Sequence, residues 1–285
     1  MRRLVAALAA ALALPVVAGE SDAARWYLQV DNDVVFHTDR WYTSGVRLGR
    51  VAPQGAHEIE WSVLQEIYTP EAKHFVPGTV DRAPSGRLLL GVAWHERGPA
   101  CFETFELALG VRGPSAEGEQ VTRAVHHLAP APYVNWSRED ADKFDAQVTA
   151  VHSQRVGSGT FHVGGVAGTT RIFAHAGAQW DFGAPIESAV MRFAPTPPPT
   201  TGESAWGGFV GASARVAARD EMLDRPYDPT TPAPDMRRGV GRIAAGVGMV
   251  RKWGSVVFAL AADSREFAEQ RTWQRFGSLT VHVDF

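Results

Sequence analysis

Residues 31–45 gather side chains that rarely share one connector: Asp31, Asn32, Asp33, His37, Thr38, Asp39, Arg40, Tyr42, Thr43 and Ser44, closed by Gly45. Connectors between strands usually carry Gly, Pro, Asn and Asp for turn chemistry. Ligand-type oxygens, an imidazole and a Tyr-Thr pair beyond that need read as a site for something polar. Further on, Glu119, Thr122, Arg123 and His126 recur at three- and four-residue spacing, so a helix would bring them to one side. Ester hydrolysis needs a base to activate water or a nucleophile and a donor for the developing oxyanion. No His-x-Ser pair occurs anywhere in the chain, which argues against a serine-based version of that chemistry.

The elements that must position these residues are mostly strands. Near the C-terminus, Leu279, Val281, Val283 and Phe285 alternate with Thr280, His282 and Asp284. Val210, Ala212, Ala214 and Val216 alternate with small or charged residues, as do Ile243, Ala245, Val247 and Met249. A small barrel can turn its apolar residues to lipid and keep small and polar ones inside. Strand-like runs number about twelve, from Arg25–Asp31 to Arg275–Phe285, an even count as bacterial barrels require. The fold class read from this pattern is all-β, a transmembrane antiparallel β-barrel of about twelve strands. A short helix is inserted near residues 115–129, where Val121, Ala124, Val125 and Leu128 make an apolar face between Pro114 and Pro130. Pro195 to Gly202 and Asp224 to Asp235 read as long exposed loops.

Met1-Arg2-Arg3, an apolar run from Leu4 to Leu14 and small residues near Gly19 have the layout of a secretory signal peptide, residues 1–19, which leaves 20–285 as one barrel domain. A single cysteine, Cys101, excludes an internal disulfide framework. A net charge of −3 gives no reason to expect a nucleic-acid partner. Nine Trp suit aromatic girdles at the membrane interfaces.

Four blocks, in order, carry a family resemblance: Asp31-Asn32-Asp33 with Phe36, Thr38-Asp39-Arg40 and Tyr42-Thr43-Ser44-Gly45; Gln65-Glu66-Ile67-Tyr68-Thr69-Pro70; Gly113-Pro114-Ser115-Ala116; and Gly118-Glu119-Gln120-Val121 leading to Val125-His126. Together they resemble the outer-membrane lipid A 3'-O-deacylase family (LpxR-type). The resemblance implies a twelve-stranded outer-membrane barrel, a monomer among outer-membrane lipids, that removes the 3'-linked acyloxyacyl group of lipid A in a calcium-dependent reaction. Position by position it implies His126 as general base, Asn32 and Asp33 as calcium ligands or orienting groups, Thr43 beside the oxyanion, and Lys73 as the active-site lysine facing phosphate. The family's acid a few residues after the histidine is missing from Leu128 to Tyr133, and Glu119 or Glu139 is expected in its place. A catalytically inactive, lipopolysaccharide-binding barrel and a passive pore are the alternative readings.

Overall fold

The computed structural model describes residues 24–72, 76–128, 133–186, 188–195 and 204–284. The expected signal peptide, Lys73 and the terminal Phe285 lie outside the described residues. Twelve strands form one closed antiparallel barrel in which each pairs with the next in sequence. In order they are β1 (Arg25–Asn32), β2 (Trp41–Gln54), β3 (His57–Thr69), β4 (Ser85–Arg97), β5 (Cys101–Arg112) and β6 (Lys143–Val156), followed by β7 (Gly159–Gly168), β8 (Arg171–Gly183), β9 (Ala205–Asp220), β10 (Gly239–Arg251), β11 (Gly254–Asp263) and β12 (Gln274–Asp284). Closure comes from β1 against β12, with Leu28 opposite Val281 and Val30 opposite Leu279. It satisfies the backbone groups that a bilayer would otherwise leave unpaired.

The alternation read from the sequence has the expected direction. Leu90, Val92 and Trp94 on β4, Phe105, Leu107 and Leu109 on β5, and Ile243 and Val247 on β10 are exposed on the outer wall. Charges fill the lumen: Arg47 bonds Glu106 at 2.8 Å and meets Glu60 at 3.3 Å, Arg87 bonds Glu66 and Asp145, and Arg242 binds Asp263 through two guanidinium nitrogens. Each of these buried charges has an opposite one beside it, which offsets the cost of removing it from water.

Connections differ at the two ends. Residues 55–56, 98–100, 157–158 and 252–253 are short turns at one end, whereas 33–40, 70–84, 113–142, 221–238 and 264–273 crowd the other. Short turns mark the periplasmic end of such barrels and long loops the extracellular one. Two connections break this rule: residues 169–170 make a short turn at the long-loop end, and the connection from β8 to β9 is long at the short-turn end. Its one-turn helix, Ala189–Arg192, folds back into the lumen, where Ile186, Val190 and Met191 pack against Phe209, Phe276 and the small side chains of β10 and β11. Pro195, expected in an exposed loop, is buried; residues 196–203 of that expectation lie outside the described residues. The other expected loop, 224–235, folds over the barrel end, with Tyr227 and Asp228 buried and Tyr227 N–H donating to Asp81 O at 2.8 Å.

Candidate active site on the outer wall

The inserted helix α1 (Gly118–Leu128) sits against the outside of the barrel. Strand alternation makes this clear: Leu64, Glu66 and Tyr68 of β3 line the lumen, and Gln65 and Ile67 between them hold the insertion. Gln65 Nε2 donates to Ala116 O at 2.6 Å. Ile67 packs with Val134, Trp136 and Val121. The chain leaves β5 through Gly113, whose φ of 119° suits glycine, and makes one 3-10 turn at Pro114–Ala116 before the helix. Gly86 and Gly118 then allow wall and helix to touch: a Cβ on Gly118 would meet Gly86 Cα at 3.1 Å and the Trp136 ring at 2.8 Å. Glu119 in the first turn and His126 and His127 in the last suit the two ends of the helix dipole.

The helix does not bury the apolar face expected of it. Val121 is half-buried, but Ala124 and Val125 are exposed. The covered side carries Thr122, whose hydroxyl donates to Gly118 O at 2.8 Å, and His126. The physical reason is location: a helix on the outer wall of a membrane barrel can turn an apolar face to lipid and a polar one to protein.

His126 Nε2 faces Asp39 Oδ2 at 3.6 Å, with the two side chains only 13% and 16% exposed. His126 Nδ1 is buried and has no hydrogen-bond partner among the described residues. Asp39 is thus the acid beside the histidine, in place of Glu119 or Glu139. Glu119 bonds Arg123 and Tyr133, and the Tyr133 hydroxyl first, then Arg123, holds its carboxyl below the usual range despite partial burial. Glu139 accepts from Gly86 N–H at 3.0 Å, and burial pushes its carboxyl up to about 7. Asp39 stood in the polar segment of the sequence, yet no spacing there foretold contact with a helix so distant in the chain.

The strand ends prepare this meeting. A bulge between Tyr42 and Ser44 inserts Thr43 as an extra residue, and its hydroxyl meets Thr69 Oγ1 at 2.6 Å. Thr69 in turn donates to Asp39 O at 3.3 Å. A hydroxyl has one proton, so with Thr69's given to Asp39, Thr43 donates to Thr69 and its own proton is spent. Thr43 therefore braces the Asp39 loop, and its hydroxyl has no proton left for an oxyanion. Asn32, outward at the end of β1, accepts from Val34 N–H at 2.8 Å, which fixes its amide and leaves its NH₂ for other partners. Asp33 is 1% exposed and caps the loop, accepting from Arg40 N–H at 2.8 Å and Thr38 Oγ1 at 3.0 Å. Arg40 pairs with Glu71 and lies over the Trp41 ring, which is buried against Phe267 and Leu223.

Hard oxygens are the right chemistry for calcium, which takes six to eight of them. Their arrangement does not fit: Asn32 Oδ1 and Asp33 Oδ2 serve the loop's own N–H and O–H groups. Among the described residues, no three His, Cys, Asp or Glu side chains converge as a metal site. No step below runs through a metal.

The family described as "Outer membrane protein LpxR" matches residues 4–285. The chain belongs to the LpxR family of outer membrane proteins. No curated protein sequence matches it. Among solved structures, LpxR from Salmonella typhimurium superposes with a TM-score of 0.74 at 17% identity, covering 92% of this chain and 100% of that one. The fold of this LpxR-family chain is thus that of a known outer-membrane barrel. The β domain of the Bordetella autotransporter BrkA gives 0.45 at 10% identity, covering 92% and 97%, a likeness too low to carry an argument.

Proposed function

We propose that this LpxR-family chain is an ester hydrolase that removes the 3'-linked acyloxyacyl group of lipid A. The observation that carries the reading is the His126–Asp39 pair, which sits between α1 and the outer wall at the extracellular end. A base there faces the leaflet that holds lipid A, whereas a base in the lumen would not.

With Nε2 carrying its proton toward Asp39, Nδ1 offers a lone pair to water. His126 takes a proton as the water oxygen bonds to the ester carbonyl carbon, and the carbonyl electron pair moves to oxygen. The amide NH₂ of Asn32 is the proposed donor to that oxyanion. Collapse of the intermediate breaks the bond to the sugar oxygen, which receives the proton held by His126, leaving a fatty acid and a free sugar hydroxyl. Lys73 is proposed to attract a lipid A phosphate.

Mass spectrometry of lipid A from cells with and without the protein tests this reading. The intact chain is expected to remove the acyloxyacyl mass, and His126→Ala to reduce release by at least about 100-fold, the usual contribution of a general base. An unchanged spectrum with the intact protein overturns the reading and favours the inactive barrel. A chelator arm with calcium restored tests the calcium requirement that the family resemblance implies.

A further inference from the structure

The outer wall at the periplasmic end carries a feature that the proposed reaction does not use. His57, Glu96, Glu103 and His152 stand in one row across β3 to β6, each in register with the next. Their strand neighbours His95, Phe102, Thr104, Val151 and Ser153 are buried on the lumen side, so the row faces lipid. His57 Nδ1 lies 3.9 Å from Glu96 Oε2, and His152 Nδ1 meets Glu103. The two carboxylates at the centre are direct cross-strand partners, each with an imidazole on its outer side, and the pairing of like charges favours a cation between them.

One step toward the membrane centre, Trp94 and Phe105 are register partners, 52% and 54% exposed, and belong to the aromatic girdle. Beside them, Ala150 opposite Gly165 leaves the wall almost bare. The result is a lipid-facing groove of about 590 Å³, bounded by Trp94 and Phe105 on one side and Val163 on the other. No Lys or Arg lines it among the described residues.

We propose that this groove holds an aminophospholipid of the periplasmic leaflet. Its ammonium sits between Glu96 and Glu103, its phosphate turns toward His152, and an acyl chain lies over Ala150 and Gly165. The chemistry matches at each point. An ammonium offers only donors and a carboxylate only acceptors. Along the row the backbone of Glu103 lies one strand spacing, ~4.8 Å, from that of His152 and Glu96 lies two, the nearer of which is comparable to the two-carbon bridge of an ethanolamine headgroup. A choline headgroup has no N–H to give, and a glycerol headgroup has no cation. The shallow wall at Gly165 and Ala150 offers a chain the space that larger side chains would take.

The test is native mass spectrometry of the full chain from nanodiscs of equal parts phosphatidylethanolamine, phosphatidylcholine and phosphatidylglycerol. The intact protein is expected to retain phosphatidylethanolamine about tenfold over either competitor, a 1.4 kcal/mol preference. Glu96→Gln with Glu103→Gln is expected to abolish it. Heat-modifiable gel mobility verifies that this variant still folds, and Glu96→Gln alone, expected to reduce the preference, serves if the pair does not. Equal retention of all three lipids overturns the proposal. So does a preference that survives in a folded variant, a groove occupied by a second copy, or an effect reproduced by magnesium or calcium in lipid-free detergent.

Discussion

At the scale of single residues, the proposed reaction gives Asp39 the positioning role that the sequence reading expected of Glu119 or Glu139. It faces His126 Nε2, and its backbone is held by Thr69, which Thr43 braces. Asp39→Asn removes the charge and preserves the shape. It is expected to lower kcat for acyl release about tenfold while leaving KM near its starting value, and Asp39→Glu to recover part of the loss. Tenfold is ~1.4 kcal/mol in barrier, close to the low end of a hydrogen bond to a charged group. A purely structural aspartate would change the folded fraction, which gel mobility reads, and not kcat alone. If Asp39→Asn is fully active while His126→Ala is inactive, the base stands and the positioning role fails. Asn32, Asp33 and Thr43 all lie in the loop and strand ends around Asp39. Their roles were not legible, because capping and bracing depend on which N–H or hydroxyl each oxygen meets after folding. Thr43 is the clearest case, since only the bulge determines that its proton goes to Thr69.

At the scale of the helix, the proposed reaction depends on how closely α1 approaches the wall. The closest approach is glycine against glycine, Gly118 on Gly86, with Trp136 beside them. Gly118→Leu must lift the helix and carry His126 away from Asp39. Misplacement by 1 Å can cost about 100-fold in rate, so acyl release is expected to fall by roughly that factor while the barrel, closed by its own strands, keeps its heat-modifiable mobility. Full activity in Gly118→Leu would show that the helix position does not matter. The loop that carries α1 is also held to the wall by Glu139 on Gly86 N–H. Burial raises the Glu139 carboxyl to about 7 in the folded loop, above the ordinary value near 4.3. Between these values the folded form binds more protons than the released one, so the attachment weakens as pH rises through that window. Hydrogen exchange at the Gly86 amide is expected to quicken from pH 5 to pH 7.5 beyond the intrinsic rate, and Glu139→Gln to remove the excess. The existence of the helix was plain from its spacing. Its orientation was not, because the same apolar stripe suits a protein core and a bilayer, and here Ala124 and Val125 face outward.

At the scale of the whole molecule, alternation in the strands carried the architecture: every strand-like run became one of the twelve strands, and the apolar side met lipid. The β8–β9 connection could not be read this way, since a proline-rich stretch gives no sign of whether it lies in solvent or folds inward. Its inward course bears on the passive-pore alternative. Arg192 donates to Ser153 at 2.9 Å and lies over the Phe102 ring, and Phe193 packs beside Phe173, His175 and Arg242, so this segment ties one side of the lumen to the other. Above it, a cavity of about 160 Å³ remains among the paired charges of β2, β3, β8 and β10. Two barriers thus lie in series, the in-folded segment and the ion-paired side chains, and they can be separated. The intact protein in a planar bilayer is expected to show no steady ion conductance. Replacing residues 184–204 with a two-residue turn removes the segment and leaves all twelve strands. Stable conductance in this variant, with heat-modifiable mobility retained, would assign closure to the segment. A folded variant that stays closed would assign it to the charge networks, and steady conductance by the intact protein would restore the pore reading.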